Sequence, residues 1–241
     1  MIVNYTDSGW QIITQRAHGL IAGQICARWK NSRQPARWLE TLIATAEHDD
    51  VYNEFDDEQL LNENGGPVNF KMTSFRKPYC ERQLNMALTK SRYIALLIAR
   101  HIHFVHGSDP LASKFCEDLK EKEKVWLAES GATAAEVAAS YELLEFCDAF
   151  SLLICQDHIQ PEQRKIEISN GPDGQSYSLF KHDDGSLVVE DWPFECDAFD
   201  IVYESRTLTQ LSYKNVQAFK KAVDLAKVDN HVLTIRRNNG K

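Results

Sequence analysis

The chain has 241 residues, of which 43% are hydrophobic and 26% are charged, and this balance excludes a wholly disordered chain. The formal net charge of −8 argues against a surface that binds nucleic acid or an anionic membrane. Six cysteines are scattered without a Cys-x-x-Cys pair, and residues 1–5 lack the charged-then-apolar plan of a signal peptide. No apolar run approaches the roughly 20 residues that cross a bilayer. We therefore expect a cytoplasmic protein with reduced thiols and with neither a nucleic-acid nor a membrane partner.

The first two thirds of the sequence show helical periodicity. Apolar residues recur at intervals of three and four, which predicts helices over residues 11–30, 37–50, 81–106, 111–129 and 133–156. Residues 50–79 are instead rich in Asp, Glu, Asn, Gly and Pro, which is typical of a long loop. Loops of such length in a compact protein are usually functional or mobile.

The periodicity changes after residue 160. Short alternating runs separated by turn sequences predict strands over residues 166–168, 177–181, 187–189, 199–205 and 231–236. An amphipathic helix is predicted over residues 215–227. The expected fold class is therefore mainly α, with a helical core over residues 1–160. Residues 161–241 are expected to form a small α+β subdomain, an antiparallel sheet plus one helix, packed on that core.

A few ionisable residues lie where the helical pattern predicts an apolar interior. Asp148 lies in a predicted helix that is apolar nearly all round, where an ionised carboxylate is costly without a cation or several hydrogen-bond donors. His18, Asp49 and His101 lie on the apolar stripes of three other helices, and His48 directly precedes Asp49. Taken singly, these residues are explained by a salt bridge, a helix cap or a hydrogen-bonded core histidine. Together, two carboxylates and two or three imidazoles suit a divalent transition metal such as Mn, Fe, Co, Ni or Zn.

The order of these residues resembles the ligand order of the HD superfamily of metal-dependent phosphohydrolases, which is a His, a His-Asp pair and a distant Asp. More narrowly, roughly residues 1–236 are similar to an uncharacterised bacterial family of HD-like proteins, a domain of unknown function. The matching segments are residues 18–24, 46–50 and 146–152 and Trp192-Pro193-Phe194. The resemblance implies an HD-type helical bundle in which His18, His48, Asp49 and Asp148 hold a metal. It also makes His101 a ligand of a second metal or a contact to the substrate phosphate.

A metal site of this kind suggests hydrolysis of a phosphomonoester or phosphodiester of a small molecule, with one or two ions. A bound divalent metal polarises a phosphoryl oxygen and lowers the pKa of water to about 7. Asp49 would orient the attacking hydroxide, and His101 or His106 would protonate the leaving group or stabilise charge. Residues 47–63 contain many acidic side chains and no Lys or Arg, which favours a substrate with few phosphates.

Two other functions are compatible with the same residues. The histidines at positions 101, 103 and 106 make a two-metal site possible, as in the di-iron oxygenases that HD-like bundles also house. A non-catalytic structural or regulatory metal protein is the other alternative, with Trp192-Pro193-Phe194 as a partner surface or as a cover over the bundle. The sequence contains no phosphate-binding glycine loop, Gly-x-Ser-x-Gly or Rossmann fingerprint. It indicates no particular oligomeric state.

Overall fold

The computed structural model describes residues 1–238, which contain helices and one seven-stranded sheet. The helices are α1 Gln15–Cys26, α2 Trp38–Glu47, α3 Lys77–Leu88, α4 Arg92–His106, α5 Ser113–Ser130, α6 Ala134–Cys155 and α7 Val216–Leu225. The strands are β1 Ile2–Thr6, β2 Gly9–Ile13, β3 Ile166–Asn170, β4 Ser176–Lys181, β5 Leu187–Val189, β6 Ala198–Leu208 and β7 Val228–Arg237. Among these residues no helix is both long enough and apolar enough to traverse a bilayer.

The described strands form one curled, mixed sheet in the order β1-β2-β6-β7-β5-β4-β3. Neighbouring strands are antiparallel except β5 and β7, which run parallel. The first two strands come from the start of the chain, and β2 pairs with β6 through Trp10 opposite Leu208. The sheet thus uses both sides of the predicted division at residue 160, and that division stays a prediction.

The expected mainly-α fold, an HD-type helical bundle with a small C-terminal antiparallel sheet, is wrong. The chain is 45% helix and 21% strand, and the sheet has seven strands. The error arose because residues 2–13 form a hairpin, whereas the apolar spacing over residues 11–30 had predicted a helix. The first helix begins only after Thr14, whose side chain accepts a hydrogen bond from the Ala17 amide as an N-cap.

The predicted helix over residues 81–106 is two helices. The chain leaves α3 at Thr89 and enters α4 through Ser91, whose side chain accepts a hydrogen bond from the Ile94 amide. This N-cap restarts the helix in a new direction. The break matters for the site, because it lets α4 pack against both α2 and α6.

The main apolar core lies between the sheet and helices α1 and α6. Its centre is a set of edge-to-face aromatic contacts in which Trp29 touches Phe146, Tyr177 and Phe194, with ring centroids 5.4, 6.2 and 6.0 Å away. Trp192 and Phe194 are both buried there. The core therefore joins α6 to the sheet and fixes where the inner face of α6 points.

Candidate metal centre

Four separate elements bring the predicted ligand residues together. His18 lies in the first turns of α1, His48 ends α2 as its C-cap with Asp49 following, His101 lies in α4, and Asp148 lies in α6. Four of these residues are buried, with His48 fully inaccessible, and Asp49 is the most open at 14% side-chain exposure.

The side-chain atoms of this cluster are close enough to share one ion. Nε2 of His18 lies 3.1 Å from Nε2 of His48 and 3.0 Å from Oδ1 of Asp148. Nε2 of His48 lies 3.3 Å from the same carboxylate oxygen. Asp49 is slightly farther, with Oδ2 at 3.8 and 3.7 Å from the two imidazoles, and its Oδ1 lies 4.0 Å from Nε2 of His101. The ligand cluster, defined as these five residues, contains two groups that could each hold a metal ion.

Hydrogen bonds on the far side of each ring fix which nitrogen faces the cluster. Nδ1 of His48 lies 2.8 Å from the carbonyl oxygen of Thr45, which can only accept, so this nitrogen carries the proton. The Ser151 hydroxyl lies 2.8 Å from the Asp148 carbonyl oxygen and donates its proton there, so it accepts from Nδ1–H of His18 at 2.7 Å. Both Nε2 atoms therefore face each other and the Asp148 carboxylate. When both rings are neutral, these atoms are acceptors packed closely in a buried site, and they repel one another unless a proton or a metal cation lies among them. This donor set fits a divalent metal.

The electrostatics of the cluster agree with a site that attracts positive charge. Burial opposes a charge on His48, but the carboxylates of Asp148 and Asp49 outweigh it and raise the pKa of His48 to about 9. Burial likewise opposes ionisation of Asp148, yet His48 and His18 hold the pKa of its carboxyl well below the usual range. Burial, together with nearby His48, lowers the pKa of His101 to about 4. His101 is thus a neutral imidazole at neutral pH, which is the state that binds metals.

Three residues that the sequence analysis missed hold the ligands in place. Nε2 of Gln15 donates to Oδ2 of Asp49 at 2.9 Å, while Thr45 and Ser151 fix the two imidazoles as described. Gln15 precedes His18 by three positions, Thr45 precedes His48 by three, and Ser151 follows Asp148 by three. A polar residue one helical turn from three of the five ligand residues was therefore the available signal. In addition, the buried Gln83 of α3 donates to the His48 carbonyl oxygen.

The ligand cluster opens into a cavity of about 450 Å³. His18, Asp49, His101 and Asp148 form its inner end, and His106 lines it farther along α4. Half-burial lowers the pKa of His106, whose ring stands edge-on to Phe75. The neighbouring histidine at position 103 lies outside the cavity and contacts Glu123. Within residues 47–63, only Asp49 and Tyr52 line the cavity.

Comparison with known proteins assigns a family but no activity. A family model described as a protein of unknown function, DUF3891, matches residues 1–210. No curated protein and no solved structure matches the chain. None of these comparisons supports placing the chain in the HD superfamily.

Proposed function

Because the chain belongs to DUF3891, a family of unknown function, its activity has to be argued from the site, and we propose that it is a metal-dependent hydrolase of small phosphate esters. The observation that carries the proposal is the convergence of His18, His48 and Asp148 within 3.3 Å, with His18 and Asp148 lining the inner end of an open cavity. A metal site that serves only the fold is typically closed by its protein ligands, whereas a catalytic one keeps a position open to the substrate.

In this proposal, His18, His48 and Asp148 hold the first ion, with Asp49 completing the set. Nε2 of His101 and Oδ1 of Asp49 are available for a second ion. The mixture of imidazole and carboxylate ligands suits Mn, Fe, Co, Ni or Zn. When bound, such a metal polarises a phosphoryl oxygen and supplies a nucleophilic hydroxide at neutral pH.

We assign the other steps of the reaction to Asp49, His101 and His106. Asp49 faces both the cluster and the cavity. Gln15 anchors its Oδ2 atom, so when no second ion is bound Oδ1 is left to orient the attacking water. His101 has little tendency to take up a proton near neutral pH, so we assign it to the metal rather than to proton transfer. His106 is accessible from the cavity, and we assign it the hydrogen bond to the leaving-group oxygen.

The alternatives make different demands on the same site. Two potential metal groups share His48, so a di-iron oxygenase remains the second candidate. Such an enzyme would purify with about two irons per chain and consume oxygen, whereas a hydrolase needs neither. A purely structural role would require metal binding without any turnover.

The proposal is tested by elemental analysis followed by assays of phosphomonoesters and phosphodiesters with each candidate metal. Asp148→Asn keeps the shape of the side chain but removes its charge, and we expect it to abolish stoichiometric metal binding. Hydrolysis should fall by at least about 100-fold, since even outer-shell partners of a metal site are worth 10–100-fold. Glu142→Gln, an exposed change on the same helix, is the matched control. Failure to hydrolyse any phosphate ester with any of the metals would contradict the proposal.

A further inference from the structure

The cavity that leads to the ligand cluster has an apolar, aromatic wall. Phe70, Phe75, Phe104, Val105 and Leu152 line it beyond the ligands. Phe104 and Val105 lie in the last turn of α4, and they are 59% and 49% exposed. Earlier residues of the same helix are almost all buried, so an exposed apolar pair beside a polar cluster indicates a contact surface for something apolar.

The same cavity has little positive charge to offer a second anionic group. Among its lining residues, Lys71 is the only Lys or Arg, and within residues 1–238 it forms no ion pair. Its ammonium nitrogen instead lies 5.9 Å from the centre of the Phe70 ring. Asp49, Asp109 and Asp148 also line the cavity. One phosphate facing the metal and Lys71 is compatible with this balance, whereas a polyphosphate chain would meet carboxylates without cations.

We propose that this cavity selects compounds with a single phosphoryl group and an apolar, aromatic group attached to it. The inference rests on the proposed function: the phosphoryl group lies at the ligand cluster, and the aromatic alcohol that leaves on hydrolysis packs against Phe75 and Phe104. A cavity of about 450 Å³ falls in the range that encloses small ligands, so it suits a phosphate with one ring system. Water adds its oxygen to phosphorus, the ester P–O bond breaks, and the alcohol leaves with a proton, giving inorganic phosphate.

The test uses the full-length, metal-loaded protein and two esters whose alcohols have similar acidity, benzyl phosphate and glycerol phosphate. Because their intrinsic reactivities are similar, the ratio of their kcat/KM values reports the binding of the ring. We expect a ratio of at least about 10 in favour of benzyl phosphate, since one well-filled apolar pocket discriminates by about 10–200-fold. ATP should be a poorer substrate than either. A ratio near one, or a preference for ATP, would overturn the inference.

Variants then locate the selectivity. Phe104→Ala should lower the benzyl-to-glycerol ratio at least fivefold. Phe55→Ala, which removes an exposed phenylalanine outside the cavity, should leave both rates unchanged. An equal loss on both esters in Phe104→Ala would mean that this side chain supports the fold rather than selecting the substrate, and would also overturn the inference.

A binding measurement separates this inference from the proposed function. In benzylphosphonate and methylphosphonate a carbon–phosphorus bond replaces the ester linkage, so the proposed reaction cannot cleave them. Calorimetry compares their affinities for the metal-loaded protein. If no ester is turned over but benzylphosphonate binds at least tenfold more tightly, and Phe104→Ala removes the difference, hydrolysis fails and the aromatic preference stands. If esters are hydrolysed and the two phosphonates bind equally, the preference fails alone.

Discussion

The two closest imidazoles of the ligand cluster are oriented by polar residues that lie one helical turn from a ligand residue. Thr45 lies one turn before His48, and Ser151 lies one turn after Asp148 and reaches across to His18. Without these partners either ring nitrogen of a histidine could face the cluster. With them, Nδ1 of both rings is engaged outside the cluster, so Nε2 is the nitrogen that each imidazole presents to the same carboxylate.

Ser151→Ala should weaken metal binding without dismantling the site. The change leaves Nδ1–H of His18 buried and unsatisfied, so the ring loses its fixed orientation, at a cost in stability of about 1–3 kcal/mol. We expect the metal dissociation constant to rise about 10–100-fold, measured by competition with a chelator. Ser140→Ala on the same helix is the control, because Ser140 bonds Thr41 and Tyr93 away from the cluster. Equal affinities in the two variants would contradict the assigned hydrogen-bond pattern.

The raised pKa of His48 gives metal binding a defined pH dependence. At neutral pH the metal-free protein holds a proton on His48, because its pKa rises from 6.5 to about 9. An incoming metal ion must displace that proton, so the logarithm of the association constant should rise with pH by about one per unit below pH 9 and then level off. His101, with a pKa of about 4, adds nothing to the slope in this range. Titrations of Ni²⁺ between pH 6 and 8 measure the slope, and a flat profile would contradict it.

The raised pKa of His48 also determines whether the metal-free protein gains or loses stability as the pH rises. A folded-state pKa above the unfolded value stabilises the metal-free fold fully below about pH 6.5, and this contribution is lost as pH rises through 9. The metal-bound protein, in which His48 carries no proton, should not show that loss.

How far the sequence predicts the site depends on the kind of residue. His18, His48, Asp49, His101 and Asp148 could be identified because a titratable group on an apolar helical stripe is unusual and calls for a partner. The structure brings these five together, while their role as ligands stays a prediction. Thr45, Ser151 and Gln15 could not be identified, because hydroxyl and amide residues in helices are common and their role depends on a neighbour's ring orientation.

At the level of the elements, two glycines let α1 and α2 approach closely enough to bring His18 and His48 together. A Cβ atom on Gly19 would lie 2.6 Å from the carbonyl oxygen of Ala46. A Cβ atom on Gly23 would lie 2.8 Å from the Cβ of Ala46. Both distances are shorter than real contacts, so larger residues at either position would push the two helices apart.

Gly23→Ala should therefore destabilise the protein although alanine is the better helix former. Helix propensity alone would gain about 1 kcal/mol, while overpacking costs about 1–3 kcal/mol. Ala46→Gly removes the opposing methyl group, so the double variant should be more stable than the sum of the single effects by about 1 kcal/mol or more. Urea unfolding of the four proteins measures this coupling. Strict additivity would mean that the two helices can separate freely at this point.

Element prediction failed where local pattern and long-range pairing disagree. Residues 9–13 contain apolar residues that extend the spacing of α1, and only pairing with β1 and β6 makes them a strand. The break between α3 and α4 at residues 89–91 contains no Gly or Pro, so the helical spacing continues across it and predicts a single helix. In contrast, β4 and β5 match the ranges 177–181 and 187–189 closely, because alternation and turn residues agree there.

For the whole molecule, the last strand organises the sheet. β7 lies between β6 and β5, so it joins the half made of β1, β2 and β6 to the half made of β5, β4 and β3. The parallel pairing of Leu187 with Ile235 joins residues that are distant in the chain. Local sequence patterns carry no information on such a partner, which explains why an antiparallel C-terminal sheet was expected and a mixed sheet spanning the chain is found.

The metal centre should therefore depend on the sheet, although none of the proposed ligands lies in a strand. Phe146 lies two positions before Asp148 on α6 and packs on Trp29 and Tyr177, with the Tyr177 ring 5.2 Å away. A fragment of residues 1–160 leaves this apolar face of α6 uncovered and also lacks β6, the strand that pairs with β2. We expect such a fragment to lack cooperative unfolding and stoichiometric metal, as measured by circular dichroism and elemental analysis.

A nicked protein distinguishes loss of the sheet from loss of the peptide connection. Residues 160–165 are exposed, so a protease site placed there can be cut after the full chain has folded. The two pieces should stay associated and keep their metal, because the core between α1, α6 and the sheet remains intact. If the isolated 1–160 fragment binds metal as tightly as the nicked protein, the helical part would be an independent domain and the sheet a dispensable cover. The shared aromatic core argues for the opposite outcome, in which the helices that carry the ligands are positioned only when the sheet is present.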